Sequence, residues 1–250
     1  MRKFATLLIG VAMVAILAKV MIAQNEAQTA AENTQNTNTV VAAIDEVDDG
    51  TTDPEHAPPI ETEHESTVKV GDKAPDFTLP NANSEERTLS DILKRGPVVL
   101  TFYRGGWCPY CNDQLYAYQQ ILPEFADLGA ELVAISPEKP ESAQDTVLKN
   151  EVEFEILSDV GNVVTRRYDL LWEVPEDKRE GFSDWLKGET GKTLSEFNGI
   201  EEYELPIPAT FVIAQDGTVV YVFKDEDYKK RAKIEDILEA LENLEGRMPE

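Results

Sequence analysis

The chain is poor in histidine, in cysteine and in positive charge. Of its 250 residues two are His and two are Cys, and 23 Lys and Arg stand against 48 Asp and Glu, a formal net charge of −25. A surface of that sign repels phosphate backbones and the anionic inner leaflet of a membrane, which excludes nucleic acid as a partner. Both histidines, His56 and His64, fall in a stretch that reads as a linker, so the folded part has none. That excludes a Ser-His-Asp triad, a Cys-His dyad and a His-ligated metal there. His56 and His64 lie among Glu55, Glu61, Glu63 and Glu65; closing a coordination shell on a flexible segment costs ordering entropy, and they read as solvated side chains. No metal and no cofactor is expected. With 42% hydrophobic residues the length suffices for one core of domain size with extra segments to explain.

Those segments are at the N-terminus. Met1-Arg2-Lys3 precedes an apolar run from Phe4 to Ala18, the charged and apolar regions of a secretory signal. Residues 1–23 are thus expected to be a signal peptide or, uncleaved, a membrane anchor, since 4–23 supplies about the 20 residues a bilayer crossing needs. Met21 is larger than the residue usually found three before a cleavage point after Ala23. No cysteine is near, which excludes a diacylated lipoprotein. Residues 24–66 hold eleven acidic residues and no Lys, Arg or aromatic residue; such a segment cannot bury enough apolar surface to order itself, and a disordered acidic linker is expected. The protein is expected to be exported, periplasmic or otherwise extracytoplasmic, free or tethered through residues 4–23.

From residue 67 to 250 strand and helix patterns alternate, the mark of an α/β domain with at least one parallel crossover. Asp76–Leu79 and Arg87–Leu89 read as a small hairpin, and Ser90 as the cap of a short helix, Asp91–Lys94. Val98–Tyr103 is an apolar run of strand length, the pattern of a strand covered on both faces. A loop, Arg104-Gly105-Gly106-Trp107, then leads to Cys108, after which Leu115, Tyr118, Ile121, Leu122 and Phe125 keep helical spacing. Glu131–Ser136, a helix over Glu141–Lys149, a strand near Phe154–Leu157 and a helix over Val160–Tyr168 follow. Residues 171–205 show weak periodicity and read as an insertion with one or two short helices. Thr210–Phe223 with Asp216-Gly217 at its turn is the clearest hairpin, and a helix bearing Ile234, Ile237, Leu238, Leu241 and Leu244 is expected to cover a sheet face.

Trp107-Cys108-Pro109-Tyr110-Cys111 carries the chemistry. A Cys-x-x-Cys pair on the first turn of a helix puts its first sulfur near unpaired backbone N–H groups and the positive end of the dipole, which favour thiolate. Cys108 is then the nucleophile, and Cys111, one turn on, the resolving thiol that closes a redox-active disulfide with it. Pro109 fits the first helical turn. A zinc site would need two further thiolates or histidines. A permanent structural disulfide across three residues closes too short a loop to constrain the unfolded chain much.

The strand-loop-helix Val98–Phe125 resembles the active-site unit of the thioredoxin superfamily, and Leu205–Phe211 resembles its second signature, an Ile-Pro bond ahead of a strand. The resemblance implies a thioredoxin-like fold, a central mixed β-sheet flanked by helices, with 171–205 inserted. It also implies that Pro208 is cis and faces Cys108. Gly71–Leu79 and Ile156–Asp159 with Tyr168 are similar to stretches of the alkyl hydroperoxide reductase and thiol-specific antioxidant family, and Phe102–Cys111 to its peroxiredoxin-like branch. The implied activity is a thiol-dependent peroxidase: a hydroperoxide oxidises Cys108, Cys111 closes the disulfide, and a thioredoxin-type dithiol reduces it. A thiol-disulfide oxidoreductase acting on exported protein disulfides is the alternative, and a non-catalytic binding module a third reading. One departure stands out. Peroxiredoxins carry Thr or Ser three residues before the reactive cysteine, and here that position is Gly105. Arg104 is a candidate replacement donor, able to lower the Cys108 pKa and bond a peroxide oxygen, and Trp107 a candidate for positioning the substrate.

Overall fold

The computed structural model describes residues 68–225 and 227–245. The expected leader, its candidate anchor 4–23, the acidic linker and both histidines lie outside the described residues. No helix among the described residues is long and apolar enough to cross a membrane.

The sheet is organised around its most apolar strand. β3 (Val98–Phe102) is buried at all five positions, as a strand covered on both faces must be. It pairs in parallel with β4 (Glu131–Ser136), which pairs in parallel with β5 (Glu155–Ser158). On its other side it pairs antiparallel with β8 (Ala209–Ile213), which continues antiparallel into β9 (Val219–Lys224). The order β5-β4-β3-β8-β9 is therefore mixed. Chain reversal between β8 and β9 uses Asp216-Gly217, with Gly217 at φ +85° and the Asp216 carboxylate accepting the Thr218 N–H at 2.9 Å.

Helices carry the chain between strands. α2 (Pro109–Gln120) and α3 (Leu122–Asp127) lead from β3 to β4, α4 (Pro140–Asn150) from β4 to β5, and α8 (Ile234–Glu245) packs on β8 and β9. α8 buries Ile234, Ile237 and Leu241, the stripe expected to cover a sheet face. A two-stranded hairpin, β1 (Thr78–Pro80) with β2 (Glu86–Thr88), precedes the sheet.

Three local expectations need correction. The first short helix, α1, spans Leu89–Ile92 and begins after Thr88 rather than after Ser90; the Ser90 N–H is instead taken by the Asp76 carboxylate at 3.0 Å. The expected helix 160–168 is shorter, α5 (Val163–Arg167), because Gly161 and Asn162 adopt positive φ of 82° and 55°. The Asp159 carboxylate caps it, accepting the N–H groups of Val164 and Thr165 at 3.0 and 2.8 Å. Tyr168, at its end, donates to the Pro75 carbonyl at 3.0 Å, tying the two peroxiredoxin-like stretches together.

The insertion differs most. It is closed at its base by β6 (Leu171–Glu173) pairing antiparallel with β7 (Glu204–Pro206), and holds a fifteen-residue helix, α6 (Glu176–Thr190), and a short one, α7 (Leu194–Asn198). α6 escaped the periodicity because only Phe182 and Leu186 of its length are buried and Gly181 and Gly188 interrupt it, each costing about 1 kcal/mol of helix propensity. Thr193 and Glu196 form a capping box that starts α7.

Candidate active site

Cys108 is the N-cap of α2, with Pro109 in its first turn. The loop from β3 therefore delivers the first sulfur to the helix N-terminus, where the Cys111 and Asn112 N–H groups bond the Cys108 carbonyl at 3.2 and 3.1 Å. Both cysteines are free thiols and both are buried. Their sulfurs lie 2.8 Å apart, close enough to share one proton.

The loop is held from three sides at Gly106. Its N–H donates to the Glu138 carboxylate at 3.0 Å, and its carbonyl accepts from Asn112 Nδ2 and Lys149 Nζ at 3.0 and 3.1 Å. A Cβ at 106 would stand 2.0 Å from Thr146 Oγ1, so glycine lets α4 approach the loop. Glu138 is fully buried and also accepts from the Tyr103, Ser136 and Thr146 hydroxyls at 3.1, 3.2 and 3.3 Å. Burial raises its carboxyl to about 7 against the pull of those donors, the Gly106 N–H first. Gly105 has φ +148°, and a side chain there would meet Trp107 Nε1 at 2.3 Å. The indole fills the space a threonine would need.

Arg104 is no solvated loop residue. It is 1% exposed, and its guanidinium faces Tyr228, Trp107 and Trp172 with Cζ 4.5, 5.3 and 5.9 Å from the ring centroids. None of its three nitrogens has a hydrogen-bond partner among the described residues. Its charge acts on both cysteines. Trp107 is buried against the insertion, its ring 5.5 Å from Phe182 and 6.1 Å from Trp185. A cleft of about 530 Å³ beside the loop is lined by Trp107 and Pro109, the neighbours of Cys108, with Asn112, Thr146, Lys149 and Trp185 among the others.

Pro208 is buried at the start of β8, and the register that pairs Phe102 with Ala209 places it beside the end of β3 where the cysteine loop leaves. The expectation of a cis bond is corrected: no peptide bond among the described residues is cis. The chain runs extended from β7 into β8, with the Ile207 N–H donating to Leu170 at 2.7 Å, and the trans form is the ground state of an X-Pro bond unless a turn demands otherwise.

Sequence reasoning missed the residues from the far end of the domain. Asp227–Ala232, between β9 and α8, lies against the site. Tyr228 stacks on Arg104 and meets the Tyr110 ring edge-on at 6.1 Å, and Arg231 Nη2 donates to Cys111 Sγ at 3.5 Å. The available signal was Lys229-Lys230-Arg231, the sole run of three basic residues in an acidic chain. These charges divide the pair unequally. Burial pushes the Cys108 thiol well up, as do the hydrogen bond and charge of Cys111. Burial also raises Cys111, but the hydrogen bond from Cys108, the Arg231 guanidinium and the Arg104 backbone N–H outweigh it and bring Cys111 down to about 6. The surrounding charges thus favour the thiolate on Cys111 over Cys108, the reverse of what helix position alone suggests.

A family model described as the AhpC/TSA family matches residues 70–222. Peroxiredoxin Q, chloroplastic, of Oryza sativa subsp. japonica is 29% identical over 177 residues, 71% of this chain and 68% of that protein. The thiol-disulfide oxidoreductase ResA of Bacillus thuringiensis subsp. konkukian (strain 97-27) is 26% identical over 167 residues, 67% of this chain and 76% of that one. The crystal structure of the peroxidoxin BcpB from Mycobacterium tuberculosis superposes with a TM-score of 0.55 over 71% of this chain and 98% of that one, at 24% identity. The fold is that of the thioredoxin-like peroxiredoxins.

Proposed function

This chain belongs to the AhpC/TSA family, and from that premise we propose that it is a thiol-dependent peroxidase working through Cys108 and Cys111. The observation that carries the reading is a buried pair of free sulfurs 2.8 Å apart between two guanidinium groups, in a chain with no other thiol and, among the described residues, no histidine.

A hydroperoxide approaching through the cleft reaches the side of the loop bearing Trp107 and Pro109, the chain neighbours of Cys108, the cysteine read as the one it oxidises. The shared proton passes to Cys111, leaving Cys108 as thiolate at the helix N-terminus beside Arg104. Its sulfur attacks the terminal peroxide oxygen; an S–O bond forms, the O–O bond breaks, and the departing alkoxide takes the proton from Cys111. Cys108 is now a sulfenic acid, oxidised by two electrons, and the peroxide is an alcohol or water. Arg104, whose guanidinium donors have no partner among the described residues, supplies hydrogen bonds to the oxygens where negative charge develops. Trp107 shields the sulfur and shapes the approach, and Pro208 packs at the end of β3 beneath the loop. Cys111 then closes the disulfide, which a thioredoxin-type dithiol reduces. That reductant should present a neutral or basic face, since residues 67–250 carry 20 basic and 37 acidic residues.

Similarity to ResA favours a second reading, exchange with protein disulfides. Trapping decides between them: one equivalent of hydrogen peroxide with a sulfenic-acid reagent should label Cys108 in a Cys111→Ser chain. No label, with rapid exchange against a disulfide, favours the second reading. For the N-terminal segment the reading is export, supported by Met1–Lys3 and the apolar run after it; mass analysis of protein from a native host separates a cleaved signal from an anchor retained over 4–23.

A further inference from the structure

The second arginine has no part in the attack on peroxide, yet it is the one that touches a sulfur. Arg231 Nη2 lies 3.5 Å from Cys111 Sγ. Its guanidinium is fixed on the other side, where Nη1 donates to the carbonyls of Tyr228 and Lys230, and its Nε is buried without a hydrogen-bond partner among the described residues. A flexible surface arginine would sample many rotamers. This one is aimed. No carboxylate among the described residues is paired with this half-buried guanidinium, so the anion it faces is the sulfur.

We propose that Arg231 is a catalytic residue of the resolving step, holding Cys111 as the thiolate that attacks oxidised Cys108. In that step Cys111 S⁻ attacks the sulfenic sulfur; the S–S bond forms, the S–O bond breaks, and hydroxide leaves and takes a proton from solvent as water. The sulfenic sulfur is reduced and Cys111 oxidised, both to the disulfide level. After the peroxide step Cys111 has given its proton to the alkoxide, and Arg231 stabilises the charge this leaves. Retention of the thiolate removes a deprotonation from closure and shortens the life of the sulfenic acid, the state open to further oxidation. The assignment to a reaction step rests on the peroxidase reading, whereas the charge on Cys111 does not.

The two parts are tested separately in the full chain. The groups acting on Cys111 are Cys108, Arg104 and Arg231, and Tyr103 feels its charge; with Cys108 replaced by Ser, thiolate absorbance near 240 nm reports Cys111 alone. Arg231→Met should raise its midpoint by about 1–3 pH units, the effect of removing an opposite charge at this range. Arg231→Lys should restore part of the shift. In the chain keeping only Cys108, by Cys111→Ser, the same change should move the midpoint less. With both cysteines present, hydrogen peroxide and a sulfenic-acid trap, Arg231→Met should raise trapped Cys108 adduct over disulfide by about tenfold, matching a pH-unit loss of thiolate. An unmoved Cys111 midpoint overturns the proposal, as does closure at the wild-type rate. If the midpoint moves but the wild-type chain is not oxidised by peroxide, the peroxidase reading fails and the charge assignment stands. Should the methionine variant not fold, Arg231→Gln, which keeps the stem and a donor, gives the same readings.

Discussion

The carboxylate of Glu138 accepts the amide proton of Gly106 at 3.0 Å, two residues ahead of Cys108. A carboxylate that is completely buried and still bonded by three hydroxyls and an amide is costly to ionise, and its position shows what the cost secures: the loop that presents the nucleophile.

A pH dependence of stability follows. The carboxyl is raised from its ordinary 4.5 to about 7, so between those values the folded chain binds a proton that the unfolded chain has lost. Its contribution is fully present below about pH 4.5 and is lost as pH rises through 7, about 3 kcal/mol in all. Urea unfolding at pH 5 and pH 8 should show this decline in the wild-type chain and not in Glu138→Gln. Equal slopes in both would show that Glu138 is ionised at no cost.

At position 105 the missing hydroxyl residue cannot simply be restored. Gly105→Thr places a side chain into the indole of Trp107, 2.3 Å from its Cβ, on a backbone at φ +148°. It should destabilise the domain by about 2–4 kcal/mol and slow the reaction with peroxide. A stable, faster Gly105→Thr chain would mean that the loop adopts another conformation in solution.

Arg104 should be irreplaceable by lysine. Three aromatic rings face its planar guanidinium, whereas an ammonium is a compact, strongly hydrated charge. Stopped-flow rates with hydrogen peroxide at pH 7 should fall by about 10²-fold in Arg104→Met, as for loss of a donor to a developing oxyanion, with little recovery in Arg104→Lys. An unchanged rate in the methionine variant would reduce Arg104 to a packing residue.

How far the sequence was legible follows from where each signal resides. β3, β4 and β8 are continuous apolar runs, and the β8–β9 turn carries Asp-Gly, so local chemistry announces them. The cysteine pair was equally visible, since strand, loop, Pro109 and helix are contiguous. What stayed hidden depends on contacts between distant residues. Arg104 reads alone as a loop arginine, and only Trp172 and Tyr228, far along the chain, make it buried. Arg231, 120 positions from Cys111, helps to favour the charge on that sulfur, and helix position alone gave the opposite order. α6 hides its few apolar residues among charges because it packs a narrow stripe against Trp107. The Pro208 bond followed the superfamily by resemblance, while the extended run from β7 to β8 leaves it trans.

The central claim is that a buried pair flanked by Arg104 and Arg231 is built for peroxide. Its most direct test is the second-order rate of the reduced chain with hydrogen peroxide at pH 7, beside its rate with a small disulfide and that of an ordinary free cysteine. Peroxide oxidation at least about 10³-fold faster than free cysteine, as electrostatic preorganisation can supply, and abolished in Cys108→Ser is the predicted result. A rate no faster than free cysteine, with rapid reaction toward the disulfide, would contradict it.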